Sequence, residues 1–256
     1  MDEKRFEEAK KKIIGIQRER PGIGTLQEKT VHAVMKNYYA PDEGMHEIPI
    51  GGYVADIYTG ERIIEIQNGN FYKMRGKLDA FLTQYPVTVV YPIPHTKWLI
   101  WIDEESGELS KKRKSPLTGS AYLAFKELYR IKSYLKAENL QFRFPLVDMD
   151  EYRLLNGWSK DRKKGSCRYD RIPVSLYDEV AVEKQEDYLQ FLPEGLSEEF
   201  TARDLAKAAK IPARTAGLVL NILTYMEVTE QSGKRGNAYL YRAKDEISCR
   251  VSDKTF

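Results

Sequence analysis

The stretch GYVADIYTGERIIEIQ, residues 52–67, decides how this chain folds. Two runs rich in apolar residues, Tyr53–Tyr58 and Arg62–Gln67, flank the turn signal Thr59–Glu61. Short strand-like runs joined by a glycine-containing turn are typical of antiparallel hairpins. The stretch therefore predicts two adjacent strands joined tightly.

This hairpin carries the residues that indicate a chemical function. Because side chains alternate along a strand, we expect Glu65 and Gln67 on one side and Ile64 and Ile66 on the other. Asp56 can meet the first pair there. Two carboxylates beside a core are costly unless a cation neutralises them, and oxygen ligands suit Mg²⁺ or Mn²⁺. The alternative is a half-exposed hairpin with ordinary polar residues.

The flanking segments predict the order helix, strands, helix, strand. Thr25–Tyr39 is predicted to be a helix, with Thr25 as N-cap and Glu28 completing a capping box. Asn70–Tyr85 has apolar residues at a helical period. Val87–Tyr91 is a β-branched run typical of a buried strand, and Trp98–Ile102 is predicted to be a further strand.

This order, together with the D…ExQ pattern, resembles the PD-(D/E)xK nuclease superfamily, with Holliday-junction resolvases among the closer comparisons. The resemblance covers roughly residues 25–103 and implies an α/β, restriction-endonuclease-like mixed sheet flanked by helices. It implies that Asp56 and Glu65 bind the metal, Mg²⁺ or Mn²⁺, and that Glu28 is the first-helix carboxylate. Gln67 completes the implied catalytic set, at the position where the family usually has lysine.

Glutamine at position 67 departs from the family pattern and puts catalysis in question. Its amide forms hydrogen bonds but has no charge and cannot act as a base near neutral pH. A lysine from another element could supply the charge, and Lys36, Lys73 and Lys77 are candidates. Each is also well explained as a solvated surface charge, and His32, between Glu28 and Lys36, as a structural histidine.

Composition and length agree with a two-domain protein. The chain has 256 residues, 42% of them hydrophobic, which is enough for a sizeable core. We expect a charged N-terminal helix over residues 1–24, a nuclease-like domain over 25–192 and a C-terminal domain over 196–256. The charged N-terminus lacks the apolar core of a signal peptide and no membrane span is visible, so we expect a cytoplasmic protein that does not bind membranes.

Basic residues form local clusters, since the formal net charge is only +3. The first cluster, in a predicted loop, comprises Lys111, Lys112, Arg113 and Lys114. The second includes Arg162, Lys163, Lys164 and Arg168, interleaved with Trp158 and Tyr169. Between these clusters, Gly119–Leu135 is predicted to be an amphipathic helix, and Gln141–Val147 a strand before Met149–Leu155. We expect the segment 158–171 to be an arm outside the sheet. Cations and aromatic rings of this kind suit nucleic-acid backbones and bases, although each cluster alone also fits a solvated loop.

The C-terminal part resembles a winged helix-turn-helix domain, from about residue 196 to 244. Thr201–Ala209 is predicted to be a short helix, and a second helix runs from Pro212 to about Met226. A hairpin with a glycine-rich basic tip follows. The resemblance implies DNA contacts from Arg214 and Thr215 at the start of the second helix and from Lys234 and Arg235 on the wing. Winged helices also serve as protein-interaction modules, and that alternative stays open.

Three functions fit these patterns. The leading hypothesis is a metal-dependent DNA endonuclease, resolvase-like or restriction-like, that a winged helix delivers to DNA. The second is a catalytically inactive DNA-binding protein of the same fold. The third is a protein-interaction scaffold. Nucleases of this fold often dimerise, so the resemblance also allows a homodimer.

Overall fold

The computed structural model describes residues 2–18, 30–158 and 164–244, with side chains at 2–14, 30–156 and 165–244. Its α-helices are α1 (Glu3–Arg18), α2 (Thr30–Tyr39), α3 (Arg75–Phe81), α4 (Phe125–Leu128), α5 (Ala202–Ala208) and α6 (Ala213–Tyr225). Its strands are β1 (His46–Ile50), β2 (Tyr53–Tyr58), β3 (Ile63–Ile66), β4 (Val87–Val90), β5 (Ile93–Ile102), β6 (Arg113–Lys114), β7 (Leu140–Trp158), β8 (Lys164–Val182), β9 (Thr229–Arg235) and β10 (Ala238–Ala243). Glu28, Arg162 and Lys163 lie outside the described residues. None of the described helices is long and apolar enough to cross a membrane.

Strands β1–β8 form one mixed sheet. Its order is β1-β2-β3-β4-β7-β5-β6, and β8 pairs with β7. The neighbours β1–β2, β2–β3 and β5–β6 are antiparallel, whereas β5 and β7 are parallel. Together with the flanking helices, this sheet confirms the predicted α/β class.

The chain divides into two compact units that alternate along the sequence. The first contains the described residues of Met1–Asn68, Val90–Ser120 and Phe144–Val180. The second contains those of Gly69–Val89, Ala121–Arg143 and Ala181–Phe256. Several long strands therefore have residues in both units.

In the first unit, α1 and α2 cover the sheet with apolar side chains. One face of α2 is buried, because its apolar residues recur at the helical period: Val31, Val34, Met35 and Tyr38. The cluster they form also contains Phe6, Ala9, Ala40, Ile57, Ile66, Val90, Val147, Met149 and Leu176. Burial of this face, rather than the helix propensity of ten residues, therefore stabilises α2.

The second unit has its own core, built on aromatic side chains. The rings of Phe125 and Phe191 meet edge to face with centroids 4.8 Å apart. The backbone N–H of Phe71 donates to the buried Glu127 carboxylate at 2.9 Å, which joins the start of the α3 region to α4. The core of α6 consists of Ala216, Val219, Leu220, Ile222 and Leu223.

The predicted helices before β4 and β7 are real but irregular. Asn70–Tyr85 contains a 3-10 turn at Phe71–Met74 followed by α3. Gly119–Leu135 contains α4 between 3-10 segments at Ala121–Ala124 and Tyr129–Tyr134, with a break at Ile131, where φ is −119° and ψ is 26°. The apolar spacing identified the buried face but not the change of helix type.

The prediction that residues 158–171 form an arm outside the sheet is wrong for residues 164–171, and residues 159–163 lie outside the described part of the chain. Residues from Lys164 onward belong to β8, which pairs with β7, itself one long strand rather than the two segments predicted around residues 141–155. The predicted loop at Lys111–Lys114 likewise ends in a short edge strand, in which Arg113 pairs with Leu99 and Lys114 with Trp98. Charged residues are common on edge strands and on solvated strand faces, so the dense charge masked these strands.

We expect Gly119→Ala to destabilise the protein by ~1–3 kcal/mol or more. The added methyl group would overlap backbone atoms, which cannot move aside as the end of a flexible side chain can. A Cβ at Gly119 would lie 2.0 Å from the carbonyl oxygen of Pro94, and the Gly119 N–H donates to His95 at 2.8 Å. Urea unfolding measures the loss. Gly217→Ala is the matched control: a Cβ there meets nothing within 4 Å, so stability should rise by ~0.5–1 kcal/mol. Equal effects of the two substitutions would contradict this packing.

Candidate functional site

The hairpin of β2 and β3 changes its hydrogen bonding at Asp56 and Glu65. The ladder pairs Tyr58 with Ile63 and Ile57 with Ile64. At the next position the backbone N–H groups turn to side chains: the Asp56 N–H donates to Glu65 Oε1 at 3.2 Å, and the Ile66 N–H donates to Asp56 Oδ2 at 2.8 Å. Each carboxylate thus accepts a bond from the opposite strand, and this exchange brings the two acids to the same end of the hairpin.

The surroundings of the two acids differ. Glu65 is fully buried, whereas 18% of the Asp56 side chain is exposed. Their strands are set in place by the apolar face of α2, since Ile57 and Ile66 are buried in its cluster and Ile64 packs against it. The shared packing of Ile64 and Ile66 agrees with the predicted alternation along β3. A solvent-accessible acid next to a buried one suits the binding of a cation from solution.

Helix α2 contributes His32 to the same place. His32 Nε2 lies 3.3 Å from Asp56 Oδ2, and 20% of the histidine side chain is exposed. The sequence interpretation took His32 as a structural residue, and the signal that could have identified it is its position between Glu28 and Lys36 on the predicted helix that precedes the hairpin. An imidazole at this distance can orient the Asp56 carboxylate or share a ligand with it.

Gln67 follows β3 and lies half-buried beside it, with its backbone N–H donating to the Val90 carbonyl at 2.8 Å. Among the lysines considered as substitutes, Lys36 is buried on α2 and donates to Glu47 Oε1 at 2.9 Å. Lys73 is exposed and Lys77 half-buried, and both belong to the second unit. Of these three lysines, Lys36 lies on the helix that also carries His32.

The donor set of Asp56 and Glu65 fits a magnesium-like cation. Within residues 2–18, 30–158 and 164–244, no group of three or more His, Cys, Asp or Glu side chains is arranged to hold a metal by itself. Mg²⁺ does not require such a cage, because it usually keeps several waters and binds through one or two carboxylates plus substrate phosphates. The two described carboxylates meet that requirement.

A buried carboxylate organises a basic cluster elsewhere in the first unit. Glu151, 2% exposed, contacts Arg171 Nε at 2.9 Å, Arg153 at 2.8 Å and Lys97 at 3.3 Å. Burial alone would raise the pKa of Glu151, but the charges of Arg171 and Lys97 outweigh it and hold the pKa at about 2. The sequence interpretation missed this cluster because its members come from β5, β7 and β8.

The other predicted DNA contacts in the first unit whose side chains the structure describes are exposed. Lys111, Lys112, Arg113 and Lys114 all face solvent. Lys112 Nζ lies 2.6 Å from Asp150 Oδ1 and 4.7 Å from the centroid of the Trp98 ring. Lys164 begins β8, and Arg168 is exposed on the same strand. Arg113, Lys114, Lys164 and Arg168 therefore lie on strands that hold their backbones in place, whereas Lys111 and Lys112 precede β6.

The C-terminal elements follow the predicted order of two helices and a hairpin. Thr201 caps α5 through a capping box with Asp204, and β9 pairs with β10. Arg214 is exposed and Thr215 half-buried at the start of α6. On the hairpin, Lys234 lies 4.9 Å from the Tyr239 ring centroid, and Arg235 lies 3.7 Å from Asp204 Oδ2.

The later half of α6 is partly covered within its own unit. Lys132 Nζ donates to Asn221 Oδ1 at 2.8 Å and lies 4.6 Å from the Tyr225 ring centroid. Lys136 lies 5.2 Å from the same centroid. Access from solvent is therefore greatest at the first turns of α6, around Arg214.

The chain belongs to the family described as Domain of unknown function (DUF8091), whose model matches residues 29–183. It is also similar to an uncharacterized protein of Treponema pallidum (strain Nichols), with 26% identity over 228 residues that cover 86% of this chain and 87% of that protein. No solved structure matches the chain. The family range contains His32, Asp56, Glu65 and the cations around Glu151, whereas α5 to β10 lie beyond it.

We expect Asp56→Ala to lower the free energy of unfolding by ~1–3 kcal/mol, because it leaves the Ile66 N–H without its acceptor. Asp56→Asn keeps an amide oxygen there and should cost less than ~1 kcal/mol. Urea unfolding in the presence of a chelator measures both changes without a contribution from metal. Equal losses for the two variants would contradict a structural role of the Asp56 carboxylate.

We expect Glu151 to make stability depend on pH in the acid range. Its pKa is depressed to about 2 from an ordinary 4.5, so its contribution is present above pH ~4.5 and is lost as the pH falls toward 2. The contribution is on the order of 3 kcal/mol. Urea unfolding of wild type and Glu151→Gln should therefore differ most near pH 6 and converge below pH 3.

The exposed Glu104 provides the control for this titration. Glu104→Gln should leave the pH profile of stability close to that of wild type. A difference between wild type and Glu151→Gln that does not change between pH 6 and pH 3 would rule out the electrostatic role of Glu151.

Proposed function

We propose that this chain is a metal-dependent DNA endonuclease that hydrolyses phosphodiester bonds with Asp56 and Glu65 as its metal ligands. The observation that carries the proposal is the exchange of hydrogen bonds at the end of the β2–β3 hairpin. It places a fully buried and a partly exposed carboxylate together, with His32 in contact with one of them.

The order of elements supports the same proposal. Helix α2, the strands β1 to β3, helix α3 and strand β4 follow one another as in the helix, strands, helix, strand order of PD-(D/E)xK nucleases. Asp56 lies on the second of these strands and Glu65 on the third. The restriction-endonuclease-like fold is part of the proposal, and Glu28 remains the proposed first-helix carboxylate.

Each residue of the site has a chemical task in this proposal. Bound Mg²⁺ or Mn²⁺ supplies a water of lowered pKa and polarises the phosphoryl oxygen. Backbone hydrogen bonds across the hairpin hold the Asp56 and Glu65 carboxylates in position for metal binding. His32 orients Asp56, and Gln67 can donate a hydrogen bond to the attacking water or the phosphate but cannot take a proton. Lys36 is the proposed source of positive charge.

The C-terminal elements support delivery to DNA. We assign α5, α6 and the β9–β10 hairpin to a winged helix-turn-helix. In such a domain the exposed start of the second helix enters the major groove, so Arg214 and Thr215 would face bases or phosphates. Lys234 and Arg235 on the hairpin, and the four cations at residues 111–114, would contact the backbone through their charge.

Gln67 favours a second candidate function, a DNA-binding protein of the same fold that does not cleave. A neutral amide lacks the charge that lysine provides in the related nucleases, and Lys36 already donates to Glu47. In that case Asp56 and Glu65 would have only their structural role at the end of the hairpin. DNA affinity would persist without any dependence on Mg²⁺.

Cleavage of labelled linear, supercoiled, single-stranded and four-way-junction DNA, with Mg²⁺ or Mn²⁺, tests the proposal. We expect metal-dependent cleavage by wild type and a loss of at least ~100-fold in Asp56→Asn, as for removal of a group that stabilises the transition state. Glu61→Gln, which removes an exposed carboxylate from the turn of the same hairpin, should cleave like wild type. The preferred substrate separates a resolvase-like from a restriction-like enzyme.

The Gln67→Lys variant separates the two candidate functions further. If position 67 faces the reacting phosphate, a lysine there should increase or restore cleavage. DNA binding without cleavage by wild type and by Gln67→Lys would support the inactive DNA-binding protein. Cleavage that survives Asp56→Asn would show that the activity belongs to another site or to a contaminant.

A further inference from the structure

A small cavity opens in the first unit between residues of α2, of β8 and of the segment that follows β3. It has a volume of about 80 Å³ and is lined by Val31, Asn68 and the β8 residues Arg168, Tyr169, Asp170 and Arg171. Val31 precedes His32 on α2, and Asn68 directly follows Gln67. Two of the lining residues are therefore immediate chain neighbours of residues in the candidate site.

Arg171 is anchored through Nε, and its terminal guanidinium nitrogens can donate hydrogen bonds to a ligand. Its Nε donates to the buried Glu151 at 2.9 Å. Within the described part of the chain its terminal guanidinium nitrogens have no hydrogen-bond partner. Glu151 also binds Arg153 and Lys97, so a single carboxylate balances three cations. The cluster keeps an excess of positive charge.

Arg168 adds a further cation to this excess. Among the described residues it has neither an ion pair nor a hydrogen bond, and its side chain is exposed. Desolvation, and next the charge of Arg171, lower the pKa of Arg168. Because an arginine stays protonated in proteins, a bound anion, rather than loss of a proton, would relieve this crowding.

The one acid in the cavity wall has a structural partner. Asp170 is buried and accepts a short hydrogen bond from the Thr30 hydroxyl at the start of the described part of α2. This bond fastens β8 to α2 and sets the position of the two arginines relative to Val31. Asp170 offsets part of the local charge, and both arginines remain lining residues of the cavity.

The size of the cavity limits what it can bind. Small-molecule sites usually have volumes of roughly 300–1,000 Å³, so a nucleoside would not fit. A single water needs roughly 10–15 Å³ of cavity volume, so the cavity accommodates a group of several heavy atoms. Guanidinium groups pair with phosphate through two parallel hydrogen bonds, and Asn68 adds an uncharged amide donor to the lining.

We propose that the cavity between Asn68 and the pair Arg168 and Arg171 binds one phosphate of a nucleic-acid strand, beside the phosphate that Asp56 and Glu65 would engage. The inference rests on the proposed function for the identity of the strand, and on the cavity itself for the binding of phosphate. Arg168 and Arg171 are the direct ligands. Glu151 is a positioning residue that holds Arg171.

Equilibrium DNA binding by the full chain in a chelator tests this inference without any need for cleavage. Anisotropy of a labelled duplex, measured over a range of salt concentrations, should show that Arg168→Ala weakens binding roughly tenfold and lowers the slope of log K against log salt by about 1. Lys4→Ala, which removes an exposed cation from α1, should change neither quantity. Arg168→Lys keeps the charge without the two-pronged geometry and should fall between wild type and Arg168→Ala.

A competition arm distinguishes a nucleic-acid phosphate from free phosphate. At constant ionic strength, inorganic phosphate should displace DNA from Arg168→Ala less effectively than from wild type if the cavity accepts the free ion. Equal, weak competition in both proteins together with the tenfold loss of DNA affinity would assign the site to the polymer alone. Thermal unfolding of each variant checks that the exposed Arg168 can be replaced without loss of the fold.

The outcomes of this test and of the cleavage test are separable. If wild type binds but does not cut DNA, and Arg168→Ala lowers both affinity and slope, the phosphate site stands while the nuclease proposal fails. If wild type cuts DNA and Arg168→Ala binds with unchanged affinity and slope, the nuclease proposal stands and the phosphate site is wrong. Absence of DNA binding by wild type overturns the phosphate site as well.

Discussion

Two antiparallel strands that stop pairing leave backbone N–H groups that still require acceptors. In this chain the Asp56 and Glu65 carboxylates supply them, each across the hairpin from its own strand. The same bonds that complete the hairpin also limit the movement of the two carboxylates. The position of the candidate metal ligands therefore depends on the need of these N–H groups for acceptors. The packing of Ile57 and Ile66 under α2 keeps that end of the hairpin in place.

A single buried carboxylate likewise connects several elements of the first unit. Glu151 is almost completely buried. Removing one partner from a buried charge network destabilises a protein by more than the intact network stabilises it. Its three cations come from three different strands, so the carboxylate ties β5, β7 and β8 together through side chains as well as through backbone. A surface whose cations are held in this way loses little side-chain entropy when it binds an anion.

The second unit shows how tertiary packing restricts a familiar motif. The helix pair and hairpin from α5 to β10 have the order expected of a winged helix, but Lys132 reaches over the later half of α6. A helix whose far end is covered can present only its first turns to a partner. The exposed Arg214 end and the hairpin tip therefore carry any DNA contact that this segment makes. These elements lie outside the range of the family model, so the nuclease-like part and this segment are separable parts of the proposal.

Local pattern was sufficient for much of this protein. The β2–β3 hairpin, the helical periods before β4 and β7, the charged first helix and the C-terminal helix pair all follow from side-chain period, turn residues and caps, because those signals act between residues close in the chain. The pairing of Asp56 with Glu65 also followed from strand alternation. Sequence reasoning erred where charge was dense: β8 and the edge strand β6 were taken as loops, since strand pairing depends on a partner that local pattern does not reveal.

Only the tertiary structure decided which distant residues meet. His32 reaches Asp56, the cations of three strands converge on Glu151, and Thr30 binds Asp170 across 140 residues of chain. These contacts arise from the order of strands in the sheet and from the packing of α2 on it, neither of which can be read from the period of a single segment. The sequence by itself determined the β2–β3 hairpin, most of the helices and the two acids, because alternation and turn chemistry are local. The cavity beside them and the charge around it were decided by the fold, because they join residues that only long-range packing brings together.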